Sequence, residues 1–326
     1  MADSALHGIF WAALLGTLLR ASTPILLAAN GGLITEACGA TNVALEGLLL
    51  ISAFFGVIGS AYAALWWPGM GTAFYAGAGL CCGLAAALLA SLTLAFVHLE
   101  LGADLVIAGI GINMLAGGLT IYLMSVLTGD KGSTASLVSY SLPVLHIPGF
   151  SAWPVADVLL NSDTRKGHHL LVYAALASCL GVYGLLAGTP LGLHLRAIGE
   201  NREAAIAAGI DVKKSQYLSF ALCGLCAGLG GLHLSMGYLA VFQADMSAGR
   251  GFLALAAVFL GTRRPLGTIA ASLLFGASTV LAAQLGLLAI PSQLVYMVPP
   301  LATLAAMALV GIWRRVRSGQ RDMATP

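Results

Sequence analysis

The chain has 326 residues, of which 59% are hydrophobic and only 9% charged, with a formal net charge of +2. Soluble domains carry about 25% charged residues, so this composition excludes a soluble globular fold and describes an all-α, polytopic transmembrane helical bundle. The small charge, spread over a few short stretches, excludes a nucleic-acid-binding surface.

Apolar stretches of about 20 residues cross a bilayer as helices, and hydropathy predicts them near 6–28, 44–66, 71–98, 103–127, 167–189, 215–238, 246–262, 267–287 and 293–313. The expectation is one integral membrane domain over 1–326 with about 8 to 10 membrane segments. The first stretch lacks a basic leader and a small-residue cleavage site, so it reads as a retained helix. After it, "NGGLITEACGATN" at 30–42 is too polar and glycine-rich to face lipid. Irregular backbone is tolerated at membrane depth only inside protein or beside a watery cavity, so this stretch is expected to break a helix near the bundle centre.

Glu46 opens the second span, and an acid at the centre of a span costs about 2.5 to 3.5 kcal/mol on insertion scales. Asn42 and Glu46 therefore read as lining or gating a translocation pathway, with helix capping as the alternative. Asn113, in "GIGINMLAGG", either faces the same cavity or bonds a neighbouring helix. His98, Glu100 and Asp104 mark the junction of two spans, but no converging ligand set is visible in the sequence, so no metal site is assigned. No Ser/His/Asp or Cys/His order stands out, and no catalytic residue is assigned.

The stretch from about 128 to 166 mixes charges with Pro143, Pro148 and Pro154 and reads as an ordered outer loop. Further along, Cys223 and Cys226 are expected to pack as small apolar groups, and His233 as a buried packing histidine. Gln243, Asp245 and Arg250 fall near the outer end of two helices and are expected in a solvated turn, with lining of the external mouth or contact with a delivery protein as the alternative. Small-residue pairs at 79 and 83, 188 and 192, and 224 and 228 predict close helix contacts.

Basic residues mark the cytoplasmic side. Arg196, Arg202, Lys213 and Lys214 fall in a loop at about 190–214, Arg263 and Arg264 in a second, and Arg314, Arg315, Arg317 and Arg321 in a tail at about 314–326. Two predicted spans separate each segment from the next, an even number as a shared side requires.

The first of these loops holds "LRAIGENREAAIAAGID", soluble in character. Asn201 is suited to cap a helix, Glu203 to its first turn, and Gly209 to a left-handed stop. A helix this short is marginal alone in water, so either the bundle or a partner must hold it. Read from the residues alone, docking to a partner and an amphipathic linker on the membrane stand equal.

The phrase "GLHLRAIGENREAAIAAGID" resembles the cytoplasmic coupling segment of ABC importer permeases, a relative of their Glu-Ala-Ala signature followed by glycine. "GLITEACGATNVALEGLLLISAFFG", "AGIGINMLAGGLT", "LPVLHIPGFSAWPV" and "SAGRGFLALAAVFLGTRRPLGTIAASLLFG" extend the resemblance over nearly the whole chain. Together they resemble the branched-chain amino acid, simple sugar and nucleoside permease family, and within it the shorter of two paired permeases for nucleosides or simple sugars. Two departures stand out: Arg263 and Arg264 occupy a segment that is commonly aromatic, and Cys38 stands where an arginine or serine would be unsurprising.

The resemblance implies a type II ABC importer-like permease, multi-pass in the bacterial inner membrane. Its partners would be a cytosolic ABC ATPase, a second permease (a homologous heterodimer, with a homodimer as the other form) and an extracytoplasmic substrate-binding protein. ATP and Mg would sit on the ATPase; the chain itself would bind no cofactor, and it has no GxxxxGK[ST] phosphate loop. Gly199, Glu200, Asn201, Glu203, Ala204, Ala205 and Gly209 would couple to the ATPase. The competing reading is an ion- or proton-coupled secondary transporter, with Glu46 and Asp104 as proton relays.

Overall fold

The computed structural model describes residues 2–146, 161, 168–237, 239–286 and 297–308. The helices in chain order are α1 (Ala2–Ala37), α2 (Leu45–Trp66), α3 (Thr72–Leu99), α4 (Leu105–Thr128), α5 (Leu170–Gly188), α6 (Pro190–Glu200), α7 (Arg202–Ala207), α8 (Val212–Met236), α9 (Arg250–Leu260), α10 (Pro265–Leu285) and α11 (Val298–Ala308). A two-residue antiparallel bridge joins β1 (Val144–Leu145) to β2 (His168–His169). Among the described residues, 7 helices are long and apolar enough to cross a membrane. The predicted tail at 314–326 and most of the outer loop, 147–160 and 162–167, lie outside the described residues.

α1, α2 and α8 form the centre. The most apolar window of α2 is 67% buried, against 22% for α4, so α4 keeps most of its apolar surface for lipid. Small residues allow the central contacts: Gly79 and Gly83 lie against the α2 backbone, and Gly224 and Gly228 against α3 around Leu84 and Ala87. Gly188 has no such neighbour, because the chain turns there into α6.

Two predicted boundaries are corrected. The first concerns 30–42: α1 runs unbroken to Ala37, and the irregular stretch is only 38–44. The polar residues that suggested an earlier break are satisfied sideways instead. Asn30 donates to Ser178 Oγ on α5 at 2.8 Å, and Gly31 lies against the backbone of Cys223. Pro24 lacks an N–H and leaves the Arg20 carbonyl without its helical partner; His233 on α8 fills that position through Nε2 at 3.2 Å. Since a carbonyl only accepts, Nε2 carries the proton.

The second correction concerns 246–262. The helix there is α9, only 11 residues long, about 16 Å at 1.5 Å per residue, too short for a hydrocarbon core of about 30 Å. Irregular backbone at 239–249 makes up the rest, a discontinuous span of the kind tolerated only within protein. This also moves Arg250 out of the predicted solvated turn: it is half-buried, and Nη1 donates to the Met246 and Ser247 carbonyls at 2.9 and 3.1 Å.

The ends of α8 sort the loops. Near Met236, Leu142 N donates to the Met236 carbonyl, and Ser133 bridges Gln243. Near Val212, Lys213 pairs with Glu100 at 2.9 Å. Arg263 reaches the C-terminal end of α1 through Glu36, and so does Gly199. The first two basic loops therefore gather at one end of the bundle, and the outer loop at the other. His233 meets Arg20 towards the opposite end of α8, so α1 starts there and runs towards the basic end.

Candidate functional site: the coupling corner and the helix break

The 190–214 loop folds as α6 and α7. Pro190 occupies the first turn of α6, where its missing N–H is harmless, and Thr189 Oγ1 accepts from Gly192 N at 3.1 Å. Asn201 caps α7, its Oδ1 accepting from Ala204 N at 3.0 Å. Gly209 ends the turn at φ +80, a left-handed conformation that disfavours a side chain.

Of the seven sequence-predicted coupling residues, Gly199, Glu200, Asn201, Glu203, Ala204 and Gly209 are exposed, whereas Ala205 is buried in the main core cluster. Ile206 is exposed beside them. The other side of Gly199 is tight: a Cβ there would lie 2.3 Å from the Ala37 carbonyl. Glycine thus lets α6 rest directly on the end of α1, where the irregular stretch begins.

That stretch is held from several sides. Glu36 sits in the last turn of α1, where the helix dipole disfavours an acid. It is buried, paired with Arg263 at 2.9 Å and accepting from Thr41 Oγ1 at 2.8 Å. The Arg263 guanidinium also lies 5.8 Å from the Phe259 ring centroid. Asn42 accepts from Ala44 N at 2.9 Å and donates to Cys223 Sγ at 3.2 Å. Asn113 reaches over from α4, accepting from Gly47 N at 2.7 Å and donating to the Val43 carbonyl at 2.9 Å.

Glu46 completes the group. Its carboxylate accepts from Ser247 Oγ at 2.5 Å, Gly249 N at 2.8 Å and Gly251 N at 2.6 Å. It caps α9 from another helix, satisfying donors that the start of α9 leaves open. Asn42, Glu46 and Asn113 are therefore brought together around 42–47, and all three hold backbone in place. Sequence reasoning missed Ser247 and the Glu36–Arg263 pair. Each had a visible signal: a polar "SAGRG" before an apolar run, and an acid at a helix end needing a cation.

At the basic end, the Lys213 ammonium holds the Glu100 carboxyl below its usual range. At the opposite end, His169 Nδ1 lies 3.2 Å from the Leu142 carbonyl, and burial lowers its pKa. Among the described residues, no three His, Cys, Asp or Glu side chains converge for a metal ion.

A helical bundle with seven membrane-length helices among the described residues, a discontinuous span, a break after α1 and a short exposed helix beside that break is a multi-pass membrane protein. The chain matches the family model "Branched-chain amino acid transport system / permease component" over residues 14–312, and it belongs to that family. Among its relatives, the guanosine ABC transporter permease NupQ of Bacillus subtilis is 33% identical over 88% of this chain and 88% of its own. The nucleoside ABC transporter permease NupC of Lactococcus lactis is 31% identical over 91% of each chain. A putative glucose ABC transporter permease of Haloferax volcanii is 32% identical over 82% of this chain and 76% of its own. The protein is thus an ABC transporter permease of the bacterial inner membrane, a transport subunit and not itself an enzyme.

Proposed function

We propose that this chain is the permease subunit of an ATP-driven importer for a nucleoside, with a simple sugar as the second cargo class. The names of its relatives support both classes, two for nucleosides and one for glucose. An extracytoplasmic binding protein delivers the cargo, and a second, homologous permease completes the membrane path. A cytosolic ATPase, with ATP and Mg bound on that subunit, drives the cycle.

The observation that carries this reading is the contact of Gly199 with Ala37 and Gly39. Glu200, Asn201, Glu203, Ala204 and Gly209 offer an exposed surface to the ATPase, with Ile206 as an apolar anchor. Ala205, turned inward, locks that surface to the bundle. When the ATPase moves α7, α6 pushes on the end of α1 and thus on the stretch from 38 to 44. Asn42, Glu46 and Asn113 tie this stretch to α8, α9 and α4, so a rigid-body shift at the corner reaches the path through these bonds. Asn42, Glu46 and Asn113 then act on the path by positioning its helices.

The test is purification of the tagged chain in mild detergent from its native cell, with mass spectrometry of what stays attached and ATP-driven uptake after reconstitution. A cytosolic ATPase is expected to co-purify and to be lost with Glu203→Lys and Gly209→Val together, the bundle remaining folded. Recovery of the chain alone, with uptake driven by an ion gradient, would replace this reading with that of a secondary transporter.

A further inference from the structure

Between α9, α10 and α11 lies a cavity of about 670 Å³, within the roughly 300–1,000 Å³ of small-ligand pockets. Most of its wall is apolar, and Phe252 presents a ring that is 50% exposed. The polar groups on it are few and of complementary kinds. Arg250 has five N–H donors; Nη1 is used on the Met246 and Ser247 carbonyls, while Nε and Nη2 have no protein acceptor among the described residues. Thr279 and Thr303 donate their hydroxyl protons to the Phe275 and Pro300 carbonyls at 3.0 and 2.6 Å, which leaves their oxygens as acceptors. One wall thus donates and the other accepts.

Glu46 caps the first turn of α9 through Gly249 N and Gly251 N, so a buried carboxylate lies at the same turn as the Arg250 guanidinium. A cation with a buried counter-charge favours a neutral ligand with carbonyl acceptors over an anion. Hydroxyls on the ligand would donate to the threonines, and a flat ring would lie against Phe252, since aromatic faces stack.

We propose that this cavity is the cargo subsite of the permease and that it takes a nucleoside. The base carbonyl accepts from Arg250, the sugar hydroxyls donate to Thr279 and Thr303, and the heterocycle rests on Phe252. This assignment builds on the importer reading above and adds the place and the chemistry of cargo recognition. The Met246 and Ser247 carbonyls hold the Arg250 guanidinium at this cavity.

The experiment uses the complete transporter, with its ATPase, companion permease and binding protein, in proteoliposomes. ATP-driven uptake of guanosine is compared with that of purine riboside, which lacks the base carbonyl. Arg250→Gln is expected to raise KM for guanosine about tenfold, the value of one good hydrogen bond, with little change for purine riboside. A merely structural role for Arg250 would weaken both cargoes equally and would overturn the assignment. Thr303→Val is expected to raise KM for both, since both carry the sugar. A thiol placed by Ala283→Cys on the cavity wall should react with a small polar thiol reagent and be protected by millimolar guanosine. Normal wild-type uptake with no such protection, and an unchanged cargo ratio in Arg250→Gln, would overturn the subsite and leave the cavity to lipid or to the companion permease. Absence of ATP-driven nucleoside uptake in the wild type would instead overturn the importer reading beneath it.

Discussion

Two short helices in this protein start in opposite ways. α7 starts in the exposed corner and is capped by its own Asn201, through a bond to Ala204 N three residues on. α9 starts in the buried interior and is capped by Glu46, more than 200 residues back in the chain, through Ser247, Gly249 and Gly251. Both solve the same problem, the unsatisfied N–H groups of a first turn. In the exposed corner water can substitute for a lost cap. At Ser247 and Gly251, which are buried, no water can substitute, so the cap there must be complete, and it ties two distant segments together.

If that contrast is right, damage to the buried cap should be the largest effect. Glu46→Ala orphans three donors, each costing roughly 1–3 kcal/mol when buried; a loss of about 3 kcal/mol or more should appear as a lower unfolding temperature in detergent. Uptake should fall while the ATPase remains attached. Glu46→Gln keeps one acceptor oxygen and should recover part of the stability. A stable Glu46→Ala variant with altered transport would instead assign Glu46 directly to the path.

The bond from His233 to the Arg20 carbonyl extends the comparison to a helix interior. His233→Leu leaves a buried carbonyl unpaired and should cost about 1–3 kcal/mol, readable as faster hydrogen exchange around residues 20–24. Unchanged exchange there would mean that the neighbouring helices alone hold α1 at Pro24. Asn201→Ala removes the local cap, worth about 1 kcal/mol. Bundle stability should hold, while the coupling of ATP hydrolysis to uptake weakens; equal unfolding of the whole bundle would erase the distinction between the two caps.

The smallest effect concerns a third helix start. His169 precedes α5 and is held to Leu142. Burial lowers its pKa, so the unfolded chain binds more protons than the native one as pH falls through the ordinary histidine value of about 6.5. Stability at this end therefore decreases on acidification. Hydrogen-exchange protection factors near 142–145 and 168–170, corrected for the intrinsic exchange rate at each pH, should fall between pH 7.5 and 5.5, and His169→Gln should flatten that dependence.

Hydrophobic length and local capping were legible in the sequence. Runs of about 20 apolar residues declare α2, α3, α4, α5, α8 and α10 because lipid demands that length. Asn201 and Gly209 declare the start and stop of α7 because both signals act within four residues. The family resemblance of "TEACGATNVALEG" and "GENREAAIAAG" was likewise visible without coordinates. Polarity misled at 30–37, where Asn30 finds its partner on α5 and the helix needs no break. Hydropathy misled at 246–262, where an apolar window conceals a helix that begins only at Arg250.

What composition and periodicity by themselves determined is a membrane bundle of helices with an exposed, charged corner, since both follow from transfer free energies and short-range hydrogen bonds. Tertiary structure alone decided that Glu46 caps α9, that Arg263 answers Glu36, that Asn113 grips the break, and that Gly199 brings the corner onto α1. The reason is physical: inside a membrane every polar group must be satisfied, and the partner that satisfies it is chosen by packing, not by distance along the chain.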